Sequence, residues 1–315
     1  MTDRPALPLY GHQKAQGAFL KARAGHRLHH AWIVEGPSGI GKSRFVLRLA
    51  GMLLGAQGTE DDPAAAPPED PVMQKILADA HPDLKHVTRQ LNDKGNLKQD
   101  ISVDQIRDLN SFFSLKPALG GWRIGILDSL DEMNTNGLNA VLKTLEEPPA
   151  QAIIFLISHA TAPVLPTIKS RCQTLRLDPL SREDTARALA ENDDEVAPGL
   201  VDLVNGRPGR AAELTGPKVL AAANAAQTLL RSLPRPNEAQ LSNAIAAASE
   251  DDQSFRVFSE EVLRWLADRA NDDAQWASTW FEAQQIVTTQ KGLHMTGAQA
   301  ASKLVSCLQS TAKAR

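Results

Sequence analysis

Eight consecutive residues near the start of the chain, Gly36-Pro37-Ser38-Gly39-Ile40-Gly41-Lys42-Ser43, follow the spacing G-x-x-x-x-G-K-[ST]. The chemistry of that spacing is phosphate binding. The glycines let successive backbone N–H groups turn inward around phosphate oxygens, and a helix beginning at the loop's end aims its positive dipole end at the same charge. Lys42 would reach the β- and γ-phosphates, and Ser43 would hold Mg²⁺. The plain alternative is a glycine-rich turn that matches by accident. With glycine at about 7% of residues, such a match is on the order of 1% in a chain of this size.

A bound nucleotide also needs a carboxylate at the end of a neighbouring strand to fix Mg²⁺, commonly through water. The run Ile124-Gly125-Ile126-Leu127 ends in Asp128, which supplies it. Rapid hydrolysis needs a further group to polarise the attacking water. The next residue is Ser129, which is no general base near neutral pH. Asp131 and Glu132 follow two residues later, beyond the strand end, where they read as charges at a helix start or a solvated turn. Losing a positioned base costs about 10²–10⁴ in rate and leaves binding largely intact. The expectation is a chain that binds ATP with Mg²⁺ and hydrolyses it weakly or not at all.

These residues need a scaffold, and the pattern around them predicts one. Apolar runs at 29–34, 122–127 and 152–157 read as strands, and 84–89, following the His81-Pro82-Asp83 turn, as another. Helical spacing links Phe45, Val46, Leu49, Met52 and Leu53. Ser102 and Gln105 form a capping-box pattern opening a helix through Phe113, and a third helix runs from about Asn136 to Glu147, stopped by Pro148-Pro149. Strands that are apolar throughout and alternate with helices imply a parallel sheet covered on both faces. The Ala/Pro-rich segment Gly55 to Pro71 reads as an exposed insertion with little structure. Beyond Pro179 only helices are expected, over Ser181–Glu191, over Val196–Val204, and then in a series broken near 234–237 and 271–273. The predicted division is 1–178 for an α/β nucleotide-binding domain, 179–216 for a small helical lid and 217–315 for an all-α domain. In that last part Val257, Val262, Leu263, Trp265 and Leu266 suit either a core or an oligomer contact.

The bulk numbers narrow the functional classes. The 315 residues carry a formal net charge of −3, so the chain alone has no basic footprint for nucleic acid. Two cysteines, Cys172 and Cys307, without a C-x-x-C pair exclude a cysteine-built zinc site and a disulfide framework. Neither a signal-peptide pattern nor a membrane-length apolar stretch is present, so a cytoplasmic location is expected.

Several further motifs carry a family resemblance. Leu138-Asn139-Ala140-Val141-Leu142-Lys143-Thr144-Leu145-Glu146-Glu147-Pro148-Pro149 closely resembles a helix of the bacterial clamp-loader ATPases, a branch of the AAA+ proteins. Ser170-Arg171-Cys172, preceded by Leu165-Pro166-Thr167-Ile168, is similar to their SRC motif. Leu28-His29-His30-Ala31-Trp32 and His81-Pro82-Asp83-Leu84 fall in the same order, and together the motifs cover most of residues 8–178.

The resemblance implies an AAA+ P-loop NTPase sheet, a lid and an oligomerisation collar. It further implies assembly with gamma/tau and delta subunits to place the ring-shaped beta sliding clamp on primed DNA. Within the family, the serine at 129 points away from the motor subunits. By the same resemblance Arg171 acts in trans as an arginine finger on a neighbour's ATP. Ser158 serves as a polar sensor, with His159 competing for that register, and Arg210 is a lid arginine reaching the γ-phosphate. Zinc, held by four cysteines in several relatives where this chain has the 55–71 insertion, should be absent. Two rival readings stand beside this one: an autonomous AAA+ DNA-processing ATPase, and a structural scaffold with a vestigial loop.

Overall fold

The computed structural model describes residues 7–313 apart from 26–27, 93–94, 99, 160–163, 192–198, 271–272 and 293–294. The chain divides into two compact units, Met1–Arg210 and Ala211–Arg315. The first is built on five parallel strands: β1 (Ala31–Glu35), β2 (Leu84–Thr88), β3 (Arg123–Asp128), β4 (Ala152–Ser158) and β5 (Gln173–Arg176). They lie in the order β2-β3-β4-β1-β5. Around them stand α1 (Gln13–Ala24), α2 (Lys42–Leu53), α3 (Pro71–Leu77), α4 (Val103–Phe113), α5 (Thr135–Glu146), α6 (Pro166–Lys169), α7 (Arg182–Ala190) and α8 (Leu200–Val204). This is the α/β parallel-sheet architecture that the alternating pattern implies.

Side-chain parity explains why the central strands β1 and β4 are apolar along almost their whole length. Trp32, Val34, Ile153, Phe155 and Ile157 join Phe19 of α1 and Phe45, Val46 and Leu49 of α2 in one core. The intervening Ala31, Ile33, Ala152, Ile154 and Leu156 join Ile106 and Leu109 of α4 and Val141 and Leu145 of α5 in another. A strand buried on both faces has no solvent side to mark with polar residues. Ser102 caps α4 as its spacing predicts: Ser102 Oγ accepts the Gln105 amide, and Gln105 Oε1 accepts the Ser102 amide at 3.1 Å.

The His81-Pro82-Asp83 turn anchors the sheet's far edge. Asp83 is 1% exposed and accepts the amides of Ala118 at 2.7 Å and Leu119 at 2.9 Å. Arg123 stands 3.5 Å away, with its guanidinium 4.2 Å from the Phe112 ring centre. One buried carboxylate thus fixes the loop that returns the chain into β3.

Three expectations need correction. Strand β5 was not anticipated; only Leu175 of its four residues is buried, so the short edge strand lacks an apolar signature. The 55–71 insertion is irregular, yet it is not simply exposed. Ala56, Ala64 and Ala66 are buried in the core, and Asp62 pairs with the buried Arg48 of α2 and accepts from Gln16. The helix expected from Val196 begins at Leu200, because Gly199, at φ of 81°, is its N-cap; residues 196–198 lie outside the described residues.

The second unit consists of α9 (Pro217–Ser232), α10 (Glu238–Ala248), α11 (Asp252–Ala270), α12 (Ala274–Gly292) and α13 (Gly297–Lys313). Ala222, Ala226, Ala244, Ala248, Ala300 and Ala301 are all fully buried, and such small residues let the helices approach closely around Phe258, Val262 and Leu266. Val257 is buried as well, whereas Leu263 and Trp265 are only partly covered. No helix of the described residues is long and apolar enough to cross a membrane.

Candidate functional site

The glycine-rich loop links the end of β1 to the start of α2 at the C-terminal edge of the sheet, the side on which parallel sheets bind ligands. Its first residue has to be glycine. A Cβ on Gly36 would lie 2.3 Å from the Leu177 carbonyl oxygen. Gly41 closes the loop with φ of 95° and serves as N-cap of α2 without any side-chain cap. The first turn of a 12-residue helix therefore opens toward the cavity with its amides not answered by a side chain.

The carbonyls on the back of the loop are held in place. Gly39 O accepts the Gly209 amide at 2.8 Å, and Ile40 O lies 2.9 Å from His12 Nε2. Gly36 N donates to Ser158 O at 3.2 Å. Lys42 is 3% exposed, and its Nζ donates to Gly36 O at 2.8 Å and Pro37 O at 2.7 Å. Burial pushes the Lys42 ammonium down to about 8, with Asp128 and Asp131 pulling the other way.

Ser43 Oγ donates to Asp128 Oδ2 in a short hydrogen bond. A hydroxyl and a carboxylate in contact make a hard-oxygen pair that suits Mg²⁺. Burial works to raise the Asp128 carboxyl, but His86, Ser43 and His159 together hold it below the usual carboxylate value. His86 Nε2 stands 3.9 Å from Asp128 Oδ2, the separation of a charge pair rather than a hydrogen bond.

These groups face one cavity of about 420 Å³. Residues Ser38 to Arg44, Asp128 and His159 form its polar end, while Pro8, Leu9, Tyr10, Leu180 and Ala188 give it an apolar wall with Pro208 and Gly209 alongside. A phosphate-sized polar end beside an apolar wall fits a nucleotide, and the loop, the Ser43–Asp128 pair and the wall are all present to meet one. That wall leaves no mark in the sequence, because scattered apolar residues carry no spacing. Tyr10 has a polar neighbour too: the Arg187 guanidinium lies 5.1 Å from its ring centre.

The other expected site residues fall in different places. Ser158 is 1% exposed at the end of β4, and His159 rather than Ser158 lines the cavity. The His159 amide donates to Asp131 Oδ2 at 2.6 Å, its Nδ1 is buried with no hydrogen-bond partner among the described residues, and burial lowers its pKa, with Lys42 adding to the effect. Asp131 and Glu132 lie in a 3₁₀ turn, and Glu132 pairs with Arg89 at 2.8 Å. Ser129 is wholly buried. Arg210 is 4% exposed and donates to Leu203 O at 3.2 Å, so the backbone at 208–209, not this side chain, reaches the cavity. Arg171 is on the surface just after α6, paired with Glu146 at 2.9 Å. Burial pushes the neighbouring Cys172 thiol up to about 12, which is far from a nucleophile's range.

Comparison with known proteins bears on this arrangement. A family model described as DNA polymerase III, delta subunit, matches residues 11–181. DNA polymerase III subunit delta' of Pseudomonas aeruginosa is 37% identical over 215 residues, 66% of this chain and 62% of that protein. The delta' subunit of Bacillus subtilis is 32% identical over 188 residues, 59% of this chain and 53% of its own. The matches thus span less than two thirds of these relatives' lengths. Among solved structures, a DNA polymerase III gamma-subunit-related protein of Thermotoga maritima is 15% identical, covers 93% of this chain and 98% of its own, and has a TM-score of 0.41, too low to bear on function. With the family model spanning more than half of its residues and delta' proteins among its relatives, the chain belongs to the DNA polymerase III delta-subunit family, on the delta-prime side.

Proposed function

We propose that the chain is a delta-prime-like subunit of a clamp loader within the cytoplasmic DNA polymerase III holoenzyme. In this reading it binds ATP with Mg²⁺, hydrolyses it weakly or not at all, and lends Arg171 to the ATP site of a neighbouring subunit. Its partners are gamma/tau and delta subunits, and through them the beta sliding clamp and primed DNA. The relatives named gamma and tau support association within one complex.

The observation that carries the binding half is the convergence of Lys42, Ser43 and Asp128 on one cavity, while position 129 holds a wholly buried serine. Gly36 to Ser43 cradle the phosphates, and Lys42 moves its charge from the Gly36 and Pro37 carbonyls to them. Ser43 and Asp128 hold the metal, which supplies charge neutralisation when bound. His159, ahead of Ser158, is the sensor side chain at the polar end of the cavity. Arg210 acts through the 206–210 backbone that packs on the loop, since its guanidinium is engaged with Leu203 O.

The trans half rests on Arg171, part-exposed at the surface, in the SRC motif. Its test is the ATPase rate of the chain assembled with gamma/tau and delta subunits. Arg171→Ala slows turnover and leaves assembly intact; an unchanged rate removes the finger. Fast hydrolysis by the chain alone would instead favour an autonomous ATPase, and absence of nucleotide binding a scaffold.

A further inference from the structure

Arg171 has a resting partner in its own chain. The backbone on either side is fixed: Ile168 is 1% exposed, and the half-buried Cys172 packs on the core that holds Val141 and Leu145 of α5. Between them the Arg171 side chain is 37% exposed. Its Nη1 donates to Thr167 O at 2.8 Å and lies 3.4 Å from Ser170 Oγ, while Nη2 stands 2.9 Å from Glu146 Oε1. The acceptor is fixed as well. Glu146 ends α5, and the carbonyl of the preceding Leu145 lies 3.1 Å from His30 Nε2, just ahead of β1.

We propose that Glu146 is the resting anion of Arg171, exchanged for a phosphate oxygen when the guanidinium enters the adjacent subunit's nucleotide site; this rests on the trans reading of Arg171 above. The Nη2 group that meets Glu146 is then the one given up, while the Thr167 carbonyl keeps its hold on Nη1. Arg171 is 37% and Glu146 51% exposed, so water weakens the pair and it is readily broken. A phosphate carries more negative charge and accepts the guanidinium fork in two places, so it wins the exchange. Glu146 therefore sets the ATP concentration at which the contact forms. It is a positioning residue and touches no substrate.

The test compares the complete assembly carrying wild-type chain, Glu146→Gln, Arg171→Ala or both changes, reading the ATP concentration at half-maximal ATPase activity. Glu146→Gln lowers that concentration roughly two- to five-fold, the worth of an exposed ion pair. The shift shrinks as salt is raised, because screening weakens the pair in the wild type. In the Arg171→Ala background Glu146→Gln has no effect. Glu146 is half exposed, so folding is retained, and the melting temperature and elution volume of the assembly check this. An unchanged or raised half-saturation value, or the same shift without Arg171, overturns the exchange. If Arg171→Ala alone leaves the rate unaltered, the trans reading itself fails.

Discussion

Raising the pH from 7 to 9 should weaken Mg²⁺·ATP binding through one side chain. Lys42 is buried and pushed down to about 8, with Asp128, Asp131 and His159 as its titratable neighbours. In the ligand-free chain it is about nine-tenths charged at pH 7 and about one-tenth at pH 9, by the ordinary titration curve. Bound phosphate favours the charged form and keeps it so across the window. Protonation must then accompany binding at high pH, and affinity falls about tenfold, or about 1.4 kcal/mol. Asp128 stays ionised throughout, since its pKa is lowered, and His159 is already neutral for the same reason of direction. Calorimetric titration at several pH values in buffers of different ionisation enthalpy gives both the affinity and the proton uptake. Lys42→Gln binds more weakly and shows a flat profile. A flat wild-type profile, or an equal slope in Lys42→Gln, refutes the reasoning. The same shift acts on stability with the opposite sign. Between about pH 8 and 10.5 the unfolded chain holds the proton that the folded chain has released, so this group's contribution to stability rises with pH there.

Other consequences are more local. Gly36→Ala places a Cβ against the Leu177 carbonyl and should abolish nucleotide binding along with a lowered melting temperature; retained affinity would show that the loop yields. Ser129→Glu buries a carboxylate at a wholly covered position and should cost on the order of 3 kcal/mol without raising hydrolysis, so a stable variant with faster ATP turnover counts against this account. Asp83→Ala strips two amides and Arg123 of a buried acceptor and should cost about 3 kcal/mol in denaturant unfolding, while a loss below about 1 kcal/mol would mean that water replaces it.

The chemistry was most legible where it is local. Lys42 and Ser43 are fixed by one eight-residue loop, and Asp128 by the end of an apolar run, so a linear pattern finds them. The sheet was legible for a related reason: strands such as Ala152–Ser158 are buried on both faces and leave an unbroken apolar run. Strand β5 has one buried residue and stayed hidden. Composition misled at 55–71, where Ala, Pro and Asp look unstructured but Asp62 finds Arg48 and Gln16 from elsewhere in the chain. The cavity wall from Pro8 to Tyr10, Leu180 and Ala188 arises only when distant segments meet. The choice between Ser158 and His159 turned on one residue of strand register, and such a shift moves a side chain to the other face. Arg210 is buried and donates to Leu203 O, a contact that no linear pattern announces.

The central claim is that this chain holds nucleotide without rapidly cleaving it. Equilibrium binding of ATP to the purified chain, with and without Mg²⁺, followed by single-turnover hydrolysis on the same sample, addresses it directly. The account predicts saturable binding that requires Mg²⁺ and is weakened in Lys42→Gln and in Asp128→Asn, with the bound ATP remaining intact long after binding is complete. No saturable binding at millimolar ATP, or hydrolysis that keeps pace with binding, would contradict it.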